Sequence, residues 1–457
     1  MAVHPSNPLR RLVFDTHPAR MVVLAFAVTV TIGTTALALP VASADGTTAP
    51  LLTALFTATS AVCVTGLAVV DTGTYWSGFG EVVILVMMQA GGFGVMTLAS
   101  LLALLIAGKL RLRMTLQAQA ETRIGIGDVR QVLLRVGAIT VVVESVTAVV
   151  LASRFYFGHD DPLGRSVYHG VFHSVAAFNN AGFGLRSDNL VQYAEDPWVL
   201  LPVSFAVILG GLGFPVIIEL LRHRARRRAT GRRSWSLHLK LTLWMSAVLL
   251  AGGTLLTLGL EWGNPGTLGP LGVDEKLLGA FFHSAVSRTA GFNATDIAAM
   301  EPATLLGTSV LMFIGGGSAG TAGGIKVTTF AVLGAAILAE VRGEPNSGVF
   351  RRRLAPHVLR QALTVALLGV GLVIVATLAL LTLVDASTDA VLFEAVSAFG
   401  TVGLTAGLTY ELPAAAQVIL VALMFMGRVG PITLVSALAL RERTRRYQHP
   451  EERPIIG

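Results

Sequence analysis

The sequence has little charge and almost no cysteine. Charged residues make up 13% of its 457 positions, whereas 53% are hydrophobic. A soluble protein of this length needs far more charged side chains to cover its surface, so the composition favours a membrane protein. The single cysteine, Cys63, excludes a disulfide framework and a cysteine metal cluster.

Seven uncharged runs are long enough to cross a membrane, which takes about 20 apolar residues. They are Met21–Ala44, Gly46–Val70, Val82–Gly108, Pro197–Ile218, Leu241–Leu260, Pro302–Ile325 and Gln361–Val384. The first run is too long for the apolar region of a cleavable signal peptide, so it predicts a first membrane helix.

Basic residues cluster in segments that alternate with acidic ones. Of the 34 Lys and Arg residues, 27 lie in five segments: the first 20 residues, 109–135, 222–240, 342–360 and 441–453. Cytoplasmic segments of membrane proteins are enriched in Lys and Arg. The pattern therefore predicts five cytoplasmic segments, including both termini (1–19 and 441–457), and four outer ones. The net charge of +7 follows from this topology, so we do not predict nucleic-acid binding.

All basic segments should lie on the same side of the membrane, a requirement called charge parity below. It predicts that some apolar segments enter and leave the membrane on the same side. If Gly46–Val70 crossed the membrane, three crossings would put the basic N-terminus and the basic segment 109–135 on opposite sides. A re-entrant segment keeps both in the cytoplasm, and the same holds for the later units. Lipid cannot satisfy non-helical backbone, so such a segment must line a cavity or be buried in protein. The topology therefore predicts a pore or a binding cavity.

The chain divides into four similar helix–loop–helix units, predicted at 20–107, 131–221, 239–339 and 357–440. In each unit a phenylalanine precedes a glycine by ten residues, and Leu or Phe follows that glycine. The pairs are Phe56 and Gly66, Phe172 and Gly182, Phe281 and Gly291, and Phe393 and Gly403. A repeat of this period predicts an assembly around one axis. We predict an all-α polytopic membrane protein with eight transmembrane helices and four helix–pore loop–helix (M–P–M) repeats.

The segments around these glycines have the chemistry of a cation filter. A short helix before each one would place its negative C-terminal end near the axis. Glycine then allows the backbone to turn its carbonyl oxygens toward a cation, whose hydration shell they can replace. The predicted filter, called the glycine loops below, comprises Val64, Thr65, Gly66, Leu67, Asn180, Ala181, Gly182, Phe183, Thr289, Ala290, Gly291, Phe292, Thr401, Val402, Gly403 and Leu404.

Close helix packing is the alternative explanation for glycines in a membrane protein. Packing glycines recur at three- or four-residue spacing within helices, unlike those of the glycine loops. We expect a packing role for a second set on the second helices of units one and two. This set is Gly91, Gly92, Gly94, Gly210, Gly211 and Gly213.

A glycine-rich segment interrupts the second helix of unit three. It comprises Gly315, Gly316, Gly317, Ser318, Ala319, Gly320, Thr321, Ala322, Gly323 and Gly324. It cannot hold a stable helix, since each glycine costs about 1 kcal/mol relative to alanine. A phosphate-binding loop is disfavoured because Gly-Lys-Ser/Thr is missing: Gly324 is followed by Ile325, Lys326 and Val327.

Arg428 lies within the predicted final helix Leu412–Leu440, which is otherwise uncharged. An arginine at the centre of a membrane helix costs about 2.5–3.5 kcal/mol on insertion scales, so it should face a pore or a polar partner. A buried acid is the alternative partner. Lys326, directly after the glycine-rich segment, can have a similar role or can extend toward the cytoplasm.

These motifs resemble those of the Trk/Ktr/HKT superfamily of potassium transporters. The resemblance rests on the loop strings VTGL, NNAGF, RTAGF and TVGL in four M–P–M units, and it covers nearly the whole chain. In length, and in having no extra N-terminal helix pair, the chain is most similar to the KtrB-type membrane subunits of bacterial Ktr systems.

The resemblance implies potassium uptake through one pseudo-fourfold pore per subunit of a homodimer in the bacterial inner membrane, surrounded by membrane lipid. Filter carbonyls would bind K⁺, and the chain would need no other cofactor. A cytosolic ring of the KtrA (RCK) type, which binds ATP or ADP, would be the regulatory partner. The glycine-rich segment would be an intramembrane gate, with Lys326 and Arg428 beside it.

Two alternatives stay open at this point. A sodium-conducting or sodium-coupled transporter would have the same architecture, although in the family glycine at every filter position accompanies potassium preference. A membrane enzyme or lipid-handling protein would show clustered His, Asp or Ser near one interface, and the sequence shows no such cluster.

Seven further polar or buried candidates carry weaker predictions. Glu144 and Glu394 are either relay or coupling-ion ligands or hydrogen-bonded structural carboxyls. Arg288 is predicted to brace the third glycine loop, and Cys63 to be a packing residue. The histidines His169, His173 and His283 do not have metal-ligand spacing.

Overall fold

The computed structural model describes residues 18–94, 126–221, 235–344, 346 and 348–430. The predicted C-terminal segment 441–457 and nearly all of the N-terminal segment 1–19 lie outside the described residues. The same is true of residues 95–107 in unit one and 431–440 in unit four. The described part is mostly helical, and the unit boundaries themselves stay predictions.

The helices follow the order of the predicted units. Unit one contains α1 (Pro18–Leu37), α2 (Leu51–Val62) and α3 (Gly78–Gly94). Unit two contains α4 (Ile126–Gly158), α5 (Leu163–Asn179), α6 (Pro197–Leu212) and α7 (Phe214–Leu221). Unit three contains α8 (Leu237–Glu261), α9 (Val273–Val286), α10 (Pro302–Phe313) and α11 (Val327–Val341). Unit four contains α12 (Pro356–Leu381), α13 (Thr388–Gly400) and α14 (Ala414–Val429).

Short elements connect these helices. A one-turn helix covers Thr72–Tyr75, and 3₁₀ turns cover Pro40–Ala42, Val191–Tyr193 and Leu408–Glu411. An antiparallel hairpin of β1 (Gly348–Val349) and β2 (Arg352–Arg353) lies between α11 and α12, with Gly348 opposite Arg353.

Three of the described helices are long and apolar enough to cross a membrane: α4 over Leu133–Gly158, α8 and α12. A fourth candidate, α6 with α7, bends by 96°. Residues 197–218 therefore form two helices joined by a bend and not one straight helix. The final helix that the sequence predicts as far as Leu440 is wrong in its length, because α14 ends at Val429. Gly213 and Gly430 have φ of 89° and 88° at these two breaks. Hydropathy cannot detect such breaks, since glycine changes the backbone without adding charge. The helix lengths therefore do not confirm the predicted number of eight transmembrane helices.

The helices α2, α5, α9 and α13, called the short helices below, are too short to span a bilayer. Their 12 to 17 residues extend about 18–26 Å, against a hydrocarbon core of about 30 Å. The repeated rings of Phe56, Phe172 and Phe393 are fully buried. In unit three the buried ring is Phe282, and the predicted Phe281 is partly exposed. The reason is that α9 ends five residues before its glycine, whereas the other short helices end three or four residues before theirs. Each additional residue rotates the direction of a helical side chain by about 100°.

The helices that follow the glycine loops in units one, two and four, α3, α6 and α14, pack against the short helices at glycine residues. A Cβ added to Gly91, Gly210 or Gly427 would lie closer than 3.0 Å to a carbonyl oxygen near the C-terminal end of the short helix of the same unit, at Val62, Phe178 or Phe399 respectively. A Cβ on Gly92 would overlap the side chain of Asn179 in the same way. The packing role predicted for Gly91, Gly92 and Gly210 is therefore confirmed.

Gly427→Ala is expected to lower the thermal stability of the protein in detergent. Forcing an extra methyl group into a well-packed core costs about 1–3 kcal/mol, and here its neighbour would be the fixed carbonyl of Phe399. The matched control is Gly371→Ala on α12, where an added Cβ has no atom within 4 Å and where helix propensity gains about 1 kcal/mol. Equal melting temperatures for the two variants would contradict this packing.

Candidate functional site

The four glycine loops converge on one ring. In each loop the Cα of the glycine packs against the carbonyl oxygen of the residue before the glycine of another loop. An added Cβ would lie closer than 3.0 Å to that oxygen, which real Cβ atoms essentially never show. The pairs are Gly66 with Ala181, Gly182 with Ala290, Gly291 with Val402, and Gly403 with Thr65. The last pair closes the ring, so the structure brings together all four predicted loops.

Each glycine loop repeats the same backbone alternation. Positive φ occurs at the glycine and at the residue two positions before it. The earlier residues are Val64 (56°), Asn180 (60°), Thr289 (87°) and Thr401 (48°), and the glycines are Gly66 (91°), Gly182 (65°), Gly291 (69°) and Gly403 (101°). A non-glycine residue in the left-handed region costs about 1–2 kcal/mol. Four such residues at one repeated position indicate a feature that the surrounding structure enforces, and the alternation lets successive carbonyl oxygens face the same side.

The short helices lead directly into the glycine loops. The N–H groups of Thr65, Ala181 and Val402 donate to carbonyl oxygens in the last turns of α2, α5 and α13, at 2.7, 2.7 and 2.9 Å. In loops one and four, the Oγ atoms of Ser60 and Ser397 also accept from the N–H of Gly66 and Gly403, each at 3.1 Å. The C-terminal ends of these helices carry partial negative charge, so the ring lies where a cation is favoured.

A cavity of about 400 Å³ opens on one side of the ring. All four loop glycines line it, together with the carboxylates Asp71, Asp188 and Asp296. Arg186 also lines the cavity, but it donates to Asp161 Oδ2 at 2.8 Å and lies over the ring of Tyr193. Carboxylates in a cleft attract cations from solution, so this side has the electrostatics of a cation entrance.

The glycine-rich segment packs against the other end of the glycine loops. Its two ends meet where Gly315 N–H donates to the carbonyl oxygen of Ile325 at 2.8 Å. Its middle is held on α6, because Gly317 and Thr321 donate to the carbonyl oxygens of Gly211 and Gly210 at 2.7 and 3.1 Å.

Two positions of this segment touch the glycine loops directly. A Cβ on Gly323 would overlap the hydroxyl of Thr401, and one on Gly315 would lie 3.3 Å from the methyl of Thr289. Thr401 and Thr289 come two positions before their loop glycines, whereas residues that come after the loop glycines, such as Phe183 and Leu404, line the cavity. The glycine-rich segment and the cavity therefore lie at opposite ends of the ring.

Two cationic side chains bind carbonyl oxygens of the glycine-rich segment. Arg428 donates from Nη1 to Thr321 O and from Nη2 to Gly91 O, the latter at 3.3 Å. Lys326 Nζ donates to Ala322 O at 2.5 Å and to Gly323 O at 3.3 Å. Within the described ranges Arg428 forms no ion pair with an acid, so the alternative of a buried acidic partner is not supported.

The two carboxylates singled out in the sequence are both hydrogen-bonded. Glu394 on α13 accepts from the hydroxyls of Thr405 and Thr409. Glu144 on α4 accepts from Gln89 Nε2 at 3.3 Å and from Asn179 Nδ2 at 3.1 Å. Both carboxylates therefore have the hydrogen bonds that a structural role requires.

The remaining candidates are buried side chains on the short helices or directly after them. Arg288 donates to Ser246 O at 3.3 Å, behind the third glycine loop. His173 and His283 make hydrogen bonds to His169 O and Thr308 Oγ1, at 2.8 and 3.0 Å. No group of three or more His, Cys, Asp or Glu side chains that could hold a metal occurs in the part of the chain that the structure describes. Cys63 is fully buried.

A second repeated position was not predicted as part of the site. The glycines Gly91, Gly210 and Gly427 follow their loop glycines by 25, 28 and 24 residues, and this spacing is the signal that could have identified them. In units one and two another glycine comes next, Gly92 or Gly211, whereas in unit four the next residue is Arg428. The arginine therefore occupies a glycine position of the repeat.

Comparisons with known proteins agree with one another. The sequence model of the TrkH family, described as "Cation transport protein", matches residues 8–445. The chain is 39% identical to the Ktr system potassium uptake protein B of Bacillus subtilis (strain 168), over 96% of this chain and 97% of that protein. It is 38% identical to the protein of the same name from Vibrio alginolyticus, over 96% and 94%. Among solved structures, the crystal structure of the potassium transporter TrkH from Vibrio parahaemolyticus matches with a TM-score of 0.71 and 17% identity, over 92% of this chain and 84% of that one.

Proposed function

This chain belongs to the TrkH family of cation transport proteins, and on that premise we propose that it takes up potassium through the ring of the four glycine loops. The observation that carries the proposal is the ring itself, in which four carbonyl oxygens meet four glycines with no side chain between them. Such a ring can replace the hydration shell of a weakly hydrated cation.

The chain is a transporter and not an enzyme, because the matched relatives are named as transporters and the matched fold is that of a transporter. With its apolar helices it is a membrane protein. In our proposal the four units are M–P–M repeats around a pseudo-fourfold pore with eight membrane crossings, broken ones included. We place the protein in the bacterial inner membrane with both termini in the cytoplasm.

In the proposed mechanism K⁺ enters from the cavity side. The carboxylates of Asp71, Asp188 and Asp296 raise the local cation concentration. The ion then exchanges water for loop carbonyls, while the negative ends of the short helices offset its charge. Inward movement is driven by the membrane potential, which supplies about 2.3 kcal/mol per elementary charge at 100 mV.

The glycine-rich segment is the proposed gate. It lies across the end of the ring opposite the cavity, and Lys326 and Arg428 hold it through three of its carbonyl oxygens. Besides these bonds and the two to α6, movement of the segment must also break those of the Thr321 hydroxyl. The two fixed cations also oppose the passage of K⁺ while the segment is closed.

Assembly and regulation complete the proposal. The relatives from Bacillus subtilis and Vibrio alginolyticus are named as components of Ktr systems, which supports a separate regulatory subunit. We propose a homodimer on a cytosolic KtrA-type (RCK) ring that binds ATP or ADP. In this arrangement the nucleotide acts through the ring, and this chain carries only the transported ion.

The function is tested by Rb⁺ uptake into vesicles that contain the purified chain. With K⁺ inside and trace Rb⁺ outside, we expect external K⁺ to suppress uptake strongly and the same concentration of Na⁺ to have little effect. Equal suppression by Na⁺ would favour the sodium alternative. Uptake no faster than in protein-free vesicles, with or without a KtrA-type ring and ATP, would contradict potassium transport by this chain.

A further inference from the structure

The side chain of Asn180 lies between the ring and the glycine-rich segment. Asn180 is the residue two positions before Gly182, it is 1% exposed, and its backbone is left-handed (φ 60°, ψ 45°). Its amide is 3.2 Å from Thr289 Oγ1 in the third glycine loop and 3.1 Å from Thr321 Oγ1 in the glycine-rich segment. One buried side chain therefore connects two glycine loops and the segment across their end.

The side-chain amide can be oriented in two ways, and one of the two orientations makes more hydrogen bonds. With its nitrogen toward Thr321, that nitrogen also donates to Ala177 O at 3.3 Å and to Val207 O at 3.1 Å, and the amide oxygen accepts from Thr289 Oγ1. Thr321 then accepts from Asn180 and donates to Phe178 O at 3.3 Å. In either orientation the amide bridges Thr289 and Thr321.

Thr321 is the residue through which the glycine-rich segment is most heavily anchored. Its hydroxyl bonds Asn180 and Phe178, its N–H donates to Gly210 O at 3.1 Å, and its carbonyl oxygen accepts from Arg428. The close packing of Gly210 and Gly211 leaves the room for this contact, since a Cβ on either would lie within 3.3 Å of the Asn180 amide. Displacement of the segment must therefore break the bond to Asn180.

The corresponding positions in the other loops cannot make this connection. Val64 has no polar side-chain atom. Thr401 touches Gly323, but its hydroxyl has no hydrogen-bond partner among the residues described. Thr289 touches the glycine-rich segment with its methyl group, and the hydrogen bond that its hydroxyl makes in the described part of the chain is to Asn180. The polar link between the ring and the segment is thus a feature of loop two.

We propose that Asn180 is a specificity-positioning residue that couples the geometry of the ring to the state of the glycine-rich segment. While the segment is closed, Thr321 and Thr289 hold the amide from both sides and fix loops two and three relative to each other. When the segment moves, the amide loses Thr321, and the ring loosens between these loops. Ion selectivity is therefore set partly by a residue on the gate. This inference rests on the proposed function of the ring.

The test compares Thr321→Val, which removes the hydroxyl and keeps the shape, with Thr321→Ser, which restores a hydroxyl. Thr321→Val is expected to raise Rb⁺ uptake without a regulatory ring by about threefold to tenfold, the equilibrium effect of one net hydrogen bond. It is also expected to increase several-fold the suppression of uptake by Na⁺, although residue 321 is outside the ring. Thr321→Ser is expected to return both values toward those of the unmodified protein.

Thr377→Val is the matched control, because its hydroxyl is buried without a hydrogen-bond partner in the described structure. Hydrogen exchange of the purified protein supplies a readout that does not need transport. In Thr321→Val, backbone amides of residues 178–185 should exchange faster, and in Thr377→Val they should not.

The outcomes separate the two proposals. Faster Rb⁺ uptake with unchanged Na⁺ suppression and unchanged exchange at 178–185 would overturn the coupling and leave potassium uptake intact. Absence of Rb⁺ uptake by the unmodified chain would instead contradict the proposed function. In that case, faster exchange at 178–185 in Thr321→Val would still support the physical link, and unchanged exchange would overturn it. A monodisperse elution profile and a melting temperature close to that of Thr377→Val establish that the variant is folded.

Discussion

Gly66→Ser is expected to lower the preference for K⁺ over Na⁺ by at least about tenfold, a change of about 1.4 kcal/mol in relative ion binding. A Cβ at this position would overlap the carbonyl oxygen of Ala181 and would lie 3.1 Å from the Cα of Gly182. The φ of Gly66 is +91°, so a residue with a side chain is also strained there. Loop two must therefore move away from loop one, and the carbonyl ring must widen or lose one of its members.

A distorted ring affects the two ions differently. In the proposed filter the carbonyl oxygens replace the hydration shell of the ion, so selectivity should depend on how many of them coordinate it and on how closely they can approach. The serine hydroxyl adds a small polar ligand that can hold Na⁺ with its remaining water. We therefore expect Na⁺ to suppress Rb⁺ uptake by Gly66→Ser at concentrations that leave the unmodified protein unaffected.

The matched control is Gly46→Ser. Gly46 also has positive φ, at +73°, but an added Cβ there has no atom within 4 Å. This variant keeps the backbone strain and omits the collision with a neighbouring loop, so its selectivity should be that of the unmodified protein. If Gly66→Ser is folded and discriminates between K⁺ and Na⁺ as well as Gly46→Ser does, the ring is not the site of selectivity.

Much of the ring could be predicted from the sequence because its determinants are local and repeated. Each glycine lies ten residues after a phenylalanine, a spacing that one short helix and one turn produce. Charge parity independently predicts that these segments are re-entrant, and this stays a prediction. The closure of the ring, from Gly66 to Ala181 and finally from Gly403 to Thr65, is what such a repeat produces around an axis.

Contacts between distant segments could not be predicted in this way. Asn180 and Thr321 are 141 residues apart, and neither has a composition or spacing that distinguishes it from its neighbours. The burial of Phe282 instead of Phe281 depends on where α9 ends, because one residue rotates a helical side chain by about 100°. The 96° bend at Gly213 leaves the apolar run intact and is therefore not visible to hydropathy.

The proposed regulation depends on differences between the four units. The ring glycines are equivalent in all units, but only unit three has the glycine-rich segment, and only unit four has an arginine after its packing glycine. Unit two contributes Asn180. A symmetric ring suits the recognition of a spherical ion, whereas a single moving element needs partners that differ from one unit to the next.

Deleting Gly316–Gly323 is expected to raise Rb⁺ uptake in the absence of a regulatory ring by at least about tenfold. The structure makes the deletion feasible, because the two ends of the segment are already neighbours. Gly315 N–H donates to Ile325 O at 2.8 Å, and a Cβ on Gly315 would overlap the carbonyl oxygen of Gly323. A peptide bond from Gly315 to Gly324 would therefore join two positions of neighbouring chain segments.

The size of the increase follows from what holds the segment closed. Hydrogen bonds from charged donors contribute about 1.5–3 kcal/mol each, and Arg428 and Lys326 supply three of them. If the segment is the gate, those bonds strongly favour its closed state, and we therefore expect its removal to take away the main barrier to uptake.

The deletion leaves Arg428 without Thr321 as an acceptor, and its charge then faces the passage. Adding Arg428→Gln to the deletion should therefore raise uptake further, because an unpaired cation in a medium of low dielectric opposes K⁺. Arg428→Gln alone should give a smaller increase than the deletion, since the bonds from α6 and Lys326 remain. If the deletion variant is monodisperse and stable but transports no faster than the unmodified chain, the glycine-rich segment is not the gate. If only the double variant is faster, the barrier is the charge of Arg428 and not the segment that it binds.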